Sequence, residues 1–326
     1  MSRECSTLQP EMRILFLDTI HEHLASHLTR MDHECIDGSK LSREELLPQI
    51  ADYDGIVIRS RIKLDKDLLD AAKNLRFAAR AGAGMENIDV DYAKMLGIQC
   101  FNAPEGNRDA VAEHAIGMLL SLFNHINTAD MEVRMGLWQR EENRGIELLG
   151  RTVGIVGYGN TGQALAKRMA GFGVLAYAYD KYEKGFSSDL IIEINMESIF
   201  QEAEVVSLHV PLTLETYHMV NDEFFEKLNN PIYLINTSRG AVVDTDALVR
   251  AIESGKVLGA CLDVLEFEKF NFEQIENEEF PTALQYLIDS PKVILTPHVA
   301  GWTQESNAKI AHVLAEKIQM AYSEVH

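Results

Sequence analysis

Short apolar runs alternate with helix-period stretches along most of the chain. Residues 12 to 17 (Met-Arg-Ile-Leu-Phe-Leu) read as a buried strand, and Asp18 and Thr19 are helix-start candidates before an amphipathic stretch to about Arg30. Gly55 to Ile58 reads as a second short strand, Asp65 to Ala72 as a helix, Arg76 to Ala79 as a third strand, Val90 to Leu96 as a helix and Gly97 to Cys100 as a fourth strand. Such alternation predicts a parallel sheet covered by helices, a small α/β domain. A longer helical pattern runs from Arg108 to about His125, with Val111, Ala115, Met118, Leu119 and Leu122 on one stripe, and is suited to bridging two domains.

The next strand, Val153-Gly154-Ile155-Val156, runs into Gly157-Tyr158-Gly159-Asn160-Thr161-Gly162 and then into a helical pattern. In this G-x-G-x-x-G order Gly157 permits the tight turn, Gly159 lets backbone approach a pyrophosphate, and Gly162 lets the helix lie close to the sheet. The helix N-terminus then offers N–H groups and partial positive charge to the anion. Val174 to Tyr179 reads as the following strand and ends on Asp180, 18 residues past Gly162. A carboxylate there suits the adenosine ribose hydroxyls and repels a 2′-phosphate, which favours NAD over NADP. The bland alternative is an ordinary strand-turn-helix with a surface acid.

Later strands are expected at Val205 to Leu208, Ile232 to Ile235, Leu258 to Leu262 and Val293 to Leu295, and a last helix at about Glu305 to Tyr322. Glu266 to Asp289, acidic and rich in aromatics (Phe267, Phe270, Phe272, Phe280, Tyr286), reads as an excursion from the fold. Ligands of open parallel sheets lie beyond the carboxyl ends of the strands. Beyond the last three of these strands come Asn236-Thr237-Ser238-Arg239-Gly240, then Asp263 with Glu266 and Glu268, then Thr296-Pro297-His298. A guanidinium, carboxylates and an imidazole are the groups that hydride transfer to an α-keto acid needs. Arg239 offers a two-pronged grip for the substrate carboxylate. His298, with an unperturbed pKa of about 6.5, suits proton transfer, and Glu268 is the expected carboxylate beside it. Each also has a structural reading: a loop-tying cation, a satisfied core histidine, a solvated acid. Asp263 has three: a nicotinamide contact, a tuner of His298, or a cap on the next turn.

Composition bounds these expectations. A chain of 326 residues favours two domains, and 46% hydrophobic content is ordinary for a globular protein. A formal charge of −20 and a pI near 4.9 argue against nucleic acid or an anionic membrane as partner, so an anionic substrate must meet a local basic pocket. No apolar run suits a membrane span, and the amino end lacks a signal-peptide core, so the expectation is a cytoplasmic protein. Cys5, Cys35, Cys100 and Cys261 are scattered, as in a protein with reduced thiols. His23 and His27 share a helix face near His21 but lack an evident third ligand, so no metal is expected. Glu113-His114 is either an ion pair or plain helix surface, and His209 is read as structural.

The segments Leu208-His209-Val210-Pro211-Leu212-Thr213, Ile235 to Gly240, Leu262 to Glu268 and Thr296 to Gly301 together resemble the signatures of the D-isomer-specific 2-hydroxyacid dehydrogenase family. The resemblance covers almost the whole chain. It implies a Rossmann NAD-binding domain over residues 106–299 and a discontinuous, flavodoxin-like substrate domain over 1–105 and 300–326. It also implies Arg239, Glu268 and His298 as the catalytic trio, Asp180, Thr213, Thr237 and Asp263 near NAD beside His209, Pro211 and Ser238, and a homodimer built through the nucleotide domains. Arg59-Ser60, Arg80 to Asp89 (with Ala83 and Gly84) and Asn102 to Asn107 look like substrate loops of phosphoglycerate dehydrogenases, with Arg59, Arg80 and also Arg61 or Lys63 as sources of positive charge. That resemblance implies 3-phosphoglycerate as substrate and a place at the start of serine synthesis, with no appended regulatory domain after His326. Glu86 where Asp is common, and the lack of Glu-Pro at Glu268, depart from the pattern, and the second weighs Glu266 against Glu268. The competing expectations are a hydroxypyruvate, glyoxylate or D-lactate-type reductase and, from another class, an NAD-sensing corepressor-like protein.

Overall fold

Twelve strands form two parallel sheets in a computed structural model that describes residues 11–268 and 280–322. The first sheet comprises β1 (Arg13–Phe16), β2 (Glu34–Asp37), β3 (Gly55–Ile58), β4 (Phe77–Arg80) and β5 (Gln99–Phe101), in the order β2-β1-β3-β4-β5. The second comprises β6 (Thr152–Val156), β7 (Leu175–Tyr179), β8 (Ile192–Glu193), β9 (Val205–Leu208), β10 (Ile232–Asn236), β11 (Val257–Leu262) and β12 (Val293–Leu295), in the order β12-β11-β10-β9-β6-β7-β8. The first order is flavodoxin-like, and the second is that of a Rossmann fold with one added strand. The chain divides into two units, Met1–Asn107 with Thr303–His326 and Arg108–Trp302.

Burial on both faces explains why the central strands are continuously apolar. In the first unit Ile56 and Ile58 pack with Leu15, Leu68 and Ala78 on one face, while Val57 packs on the other with Ile14, Phe77 and the C-terminal helix residues Ile310, Leu314 and Ile318. In the second unit Val156, Val206 and Leu234 serve one core, and Val153, Ile155 and Ile235 serve the other with Leu119 and Leu165.

Several expectations are corrected. β2 is an additional strand, half-exposed and edged by Glu34 and Asp37, so it has no apolar run to announce it. The first helix is Glu22–Arg30, not one started by Asp18: the His21 ring accepts from the His23 N–H, and Asp18 Oδ2 accepts from the Arg59 N–H at 2.6 Å. The long helix is Pro104–Phe123, begun by a proline that needs no helical N–H partner. Gly106 within it has no room for a side chain, since a Cβ would lie 2.7 Å from the Ile310 backbone. The expected excursion ends in a packed helix, Thr282–Asp289, with Ala283, Leu284 and Leu287 buried. Phe270 and Phe272, like Cys5, fall outside the described residues.

Candidate active site

The switch point of the second sheet lies between β6 and β9, where strand order reverses. Gly157 turns off β6 at φ +95°, and a Cβ on it would lie 2.6 Å from the His209 carbonyl oxygen. A Cβ on Gly162 would strike the Gly157 oxygen at 2.2 Å, so this glycine sets the approach of the helix Asn160–Met169 to the strand. Gly159 differs: a Cβ there would meet nothing within 4 Å, and no side chain caps the helix it begins. An open cradle at an uncapped helix N-terminus fits a pyrophosphate.

Asp180, at the end of β7, closes the cradle. Its Oδ2 accepts from the Tyr158 N–H at 2.7 Å, and its Oδ1 accepts from the N–H groups of Tyr182 and Glu183 at 2.9 and 3.0 Å. Burial works to raise its pKa, but these donors outweigh burial and hold the carboxyl below the usual carboxylate range. The Tyr158 ring stacks on Phe186 at 4.3 Å. His209 sits between Ser207 Oγ (2.8 Å from Nε2) and Thr161 Oγ1 (3.0 Å from Nδ1), and burial pushes its pKa down to about 4. The ring is therefore a neutral structural strut at neutral pH. Beyond β9, Pro211 O accepts from Thr216 Oγ1, and Thr213 is tied to the same threonine. Ser238 Oγ donates to Asn236 Oδ1, whereas Thr237 Oγ1 is buried with no hydrogen-bond partner among the described residues, a donor and acceptor suited to a ligand.

The candidate reactive groups stand at the carboxyl ends of β10, β11 and β12. Glu268 Oε2 lies 3.0 Å from His298 Nδ1, with both side chains about one-quarter exposed. His298 has a left-handed backbone, φ +55°, which a non-glycine residue adopts only when its surroundings enforce it. The enforcement comes from Asp263. Its carbonyl accepts from the His298 N–H at 2.8 Å, and its carboxylate, 1% exposed, accepts from Thr296 Oγ1 and from the N–H groups of Val299 and Ala300. The carboxylate geometry matches the loop cap, one of the three sequence readings for Asp263. His114 Nε2 joins this cluster at 3.0 Å from Thr296 Oγ1. Glu113 does not pair with it, but bonds Arg168.

Two carboxylates that spacing alone could not separate are now distinguished. Glu268 belongs to His298, whereas Glu266 lies 2.6 Å from His218 Nε2 and accepts from Thr245 N–H and Oγ1. Nothing in the sequence marked His218. Arg239, half-buried, projects from the loop after β10 and donates through Nη1 to the Ser238 carbonyl.

In the first unit, Arg59 follows β3 and Arg80 ends β4, on the equivalent edge of the first sheet. Arg80 Nε donates to the Arg59 carbonyl at 3.2 Å, and its guanidinium lies over Gly82, where a Cβ would be 2.0 Å from Nη1. Burial and the adjacent Arg80 charge push the Arg59 pKa down to about 10. Ser60 O accepts from Asn87, Ala83 O accepts from Asn102, Gly84 is half-buried, and Asn107 Oδ1 is buried without a hydrogen-bond partner among the described residues. Arg61 is corrected: its guanidinium donates to the carbonyls of Leu17, Gly38 and Leu41, so it braces the fold instead of serving a ligand. Glu86 is exposed. On another face His23 Nε2 lies 3.3 Å from His312 Nδ1 and His27 bonds Gln319; among the described residues no group of three ligands is disposed to hold a metal ion. No described helix is long and apolar enough to cross a membrane.

Comparison with known proteins agrees with this geometry. The family model for the D-isomer specific 2-hydroxyacid dehydrogenase NAD-binding domain matches residues 116–300. A hydroxypyruvate reductase of Thermotoga maritima is 36% identical, over 94% of this chain and 97% of that protein. A D-3-phosphoglycerate dehydrogenase of Archaeoglobus fulgidus is 35% identical over 94% of this chain, which spans only 56% of that longer protein. Among solved structures, a D-lactate dehydrogenase of Aquifex aeolicus, complexed with NAD and lactic acid, aligns with a TM-score of 0.78 at 29% identity, covering 95% of each chain. The chain belongs to the D-isomer-specific 2-hydroxyacid dehydrogenases, NAD-dependent oxidoreductases that act on CH–OH donors.

Proposed function

We propose that the protein interconverts 3-phosphoglycerate and its 2-keto acid, with Arg239, Glu268 and His298 performing the chemistry. The observation that supports the reaction is the Glu268–His298 pair on the sheet edge that also carries Arg239 and the glycine cradle. NAD, when bound, supplies the hydride acceptor, and Gly157 to Gly162, Asp180 and Thr237 are the residues suited to hold it. Arg239 grips the substrate carboxylate and polarises the C2 oxygen. In oxidation His298 Nε2 takes the hydroxyl proton; in reduction it returns that proton to the carbonyl oxygen. Glu268 at Nδ1 holds the ring in one orientation and favours the imidazolium formed when the proton arrives.

Arg59 and Arg80 are the proposed source of positive charge for a phosphorylated substrate. Two adjacent guanidiniums, Arg80 Nε donating to the Arg59 carbonyl, suit a dianion, and they answer the need of a chain with net charge −20 for local positive charge. A second reading, a hydroxypyruvate or glyoxylate reductase, is favoured by the similarity to the Thermotoga reductase, which this chain matches over 97% of its length. Initial rates on D-3-phosphoglycerate, D-glycerate and D-lactate with NAD, and on hydroxypyruvate and glyoxylate with NADH, separate the two. We expect phosphoglycerate oxidation with a KM raised roughly tenfold or more by Arg80→Ala, as loss of a charged contact entails. Brisk glyoxylate reduction without phosphoglycerate oxidation selects the second reading.

We assign a cytoplasmic homodimer built through the nucleotide unit. Helix Ile126–Arg134 and the chain after it expose Ile126, Met131, Met135 and Trp138, the last at 75%, a patch suited to a second copy of the chain. Light scattering that gave a monomer mass at micromolar concentration would remove this assignment.

A further inference from the structure

Another histidine–carboxylate pair of the nucleotide unit, His218–Glu266, is not used by the chemistry above. We propose that Glu266, clamped by His218 and Thr245, is a positioning residue that sets Glu268 and Arg239 in their working geometry. This rests on the reaction assigned above.

Three observations converge on Glu266. First, its carboxylate ties separate segments: Oε1 to His218 Nε2 at 2.6 Å, in the stretch between β9 and β10, and Oε2 to Thr245 N–H and Oγ1 at 3.1 and 2.7 Å. Thr245 opens the helix Thr245–Glu253, so the carboxylate also meets the positive end of that helix. Second, the Arg239 loop lies directly on the Glu266 backbone. A Cβ on Gly240 would fall 2.0 Å from the Leu265 oxygen and 2.5 Å from the Glu266 nitrogen, so the two segments touch main chain to main chain. Third, Glu268 comes two residues after Glu266, and its N–H closes a turn onto the Leu265 carbonyl at 3.2 Å. Glu266 is thus the point where the segments carrying Arg239 and Glu268 share one anchor.

His218 is itself constrained. Its backbone is left-handed at φ +49°, its N–H donates to the Ala241 carbonyl at 2.9 Å, and its ring stacks on Tyr217 at 4.1 Å. The charged groups facing it are Glu266 and, 3.9 Å from Nδ1, Asp244. Such constraint around one side chain suits an anchor that must hold a carboxylate to a fraction of an ångström, the tolerance that oriented catalytic groups require.

A merely structural clamp and a positioning clamp differ in what their loss moves. When Glu266 is removed, Glu268 drifts from His298 and the imidazolium loses support. Keto-acid reduction needs a proton on the Glu268–His298 pair, so the alkaline limb of its pH profile reports that pair, and loss of the carboxylate should move the limb to lower pH. The test compares wild type, Glu266→Ala, Glu266→Gln and Thr245→Val in the full-length protein, measuring kcat, KM, the pH profile of reduction, NADH affinity and melting temperature. For Glu266→Ala we expect kcat lower by about 10- to 100-fold and a limb shifted by about half a pH unit or more, with NADH affinity within about twofold of wild type. Glu266→Gln, which keeps length and hydrogen bonding, should restore most of kcat. Thr245→Val, a milder change, should move both readouts in the same direction and serves should Glu266→Ala fail to fold. Glu266 or Thr245 variants that melt earlier yet keep wild-type kcat and limb overturn the proposal, as does a loss confined to NADH affinity. If instead wild type transfers no hydride to any 2-keto acid, the reaction assigned above falls, and this inference with it.

Discussion

Glu268 Oε2 and His298 Nδ1 lie 3.0 Å apart, joining a loop after β11 to a loop after β12 across 30 positions of sequence. In the proposed reaction this tie at Nδ1 leaves Nε2 for proton transfer, with Glu268 as partner of the imidazolium. Glu268→Gln should lower kcat by about 10- to 100-fold and His298→Gln by about 100- to 10,000-fold, both with near-normal NADH affinity. Steady-state rates with parallel calorimetric titration of NADH check this. Equal losses of rate and NADH affinity would place the pair in cofactor binding.

Gly159 and Gly162 should answer the same substitution in opposite ways. A methyl on Gly159 enters open space, so Gly159→Ala should keep its melting temperature while weakening NAD binding about tenfold or more, because the methyl occupies ground reserved for phosphate. A methyl on Gly162 meets the Gly157 oxygen at 2.2 Å, so Gly162→Ala should destabilise the fold by about 1–3 kcal/mol. Calorimetric melting with and without NAD separates the two effects; matching melting losses would contradict the cradle.

His209 links stability to pH. Its folded pKa of about 4 lies below the unfolded value of about 6.5, so the unfolded chain binds a proton that the fold refuses between those limits. This contribution is complete above pH 6.5 and is lost as pH falls towards 4, on the order of 3 kcal/mol across the window. Urea unfolding at pH 7, 6 and 5 should show wild type losing stability more steeply than His209→Asn, which is weaker at pH 7 but has no ring to charge. Parallel slopes for the two proteins would exclude His209 as the source of the acid sensitivity.

Features that depended on neighbours in the chain were legible in the sequence. Gly55 to Ile58 read as a short strand from its apolar run, and all four residues are buried in β3. The G-x-G-x-x-G run specified its turn, its open position and its packing position within six residues. Asp180 was legible because strand length fixes where the acid emerges. Tertiary pairing was not legible. Glu266 and Glu268 are alike in local context, and it is His218 and Thr245, 48 and 21 residues away, that bind Glu266. Arg61 and Arg59 sit two residues apart, yet Arg61 turns inward to three carbonyls from segments 20 to 44 residues away. β2 escaped because its edge position leaves half its surface to water and Glu34 and Asp37 free of an apolar requirement.

Hydride transfer between NAD and a D-2-hydroxy acid is assigned to Arg239 and the Glu268–His298 pair. The direct measurement is NAD reduction by wild type and by Arg239→Ala with D- and L-isomers of the same hydroxy acid, alongside NAD affinity. Turnover of the D-isomer alone is expected, with a fall of about 100-fold or more in kcat/KM for Arg239→Ala and NAD affinity unchanged within about twofold. An Arg239→Ala protein that turned over at the wild-type rate, or a wild type that oxidised the L-isomer equally well, would contradict the assignment.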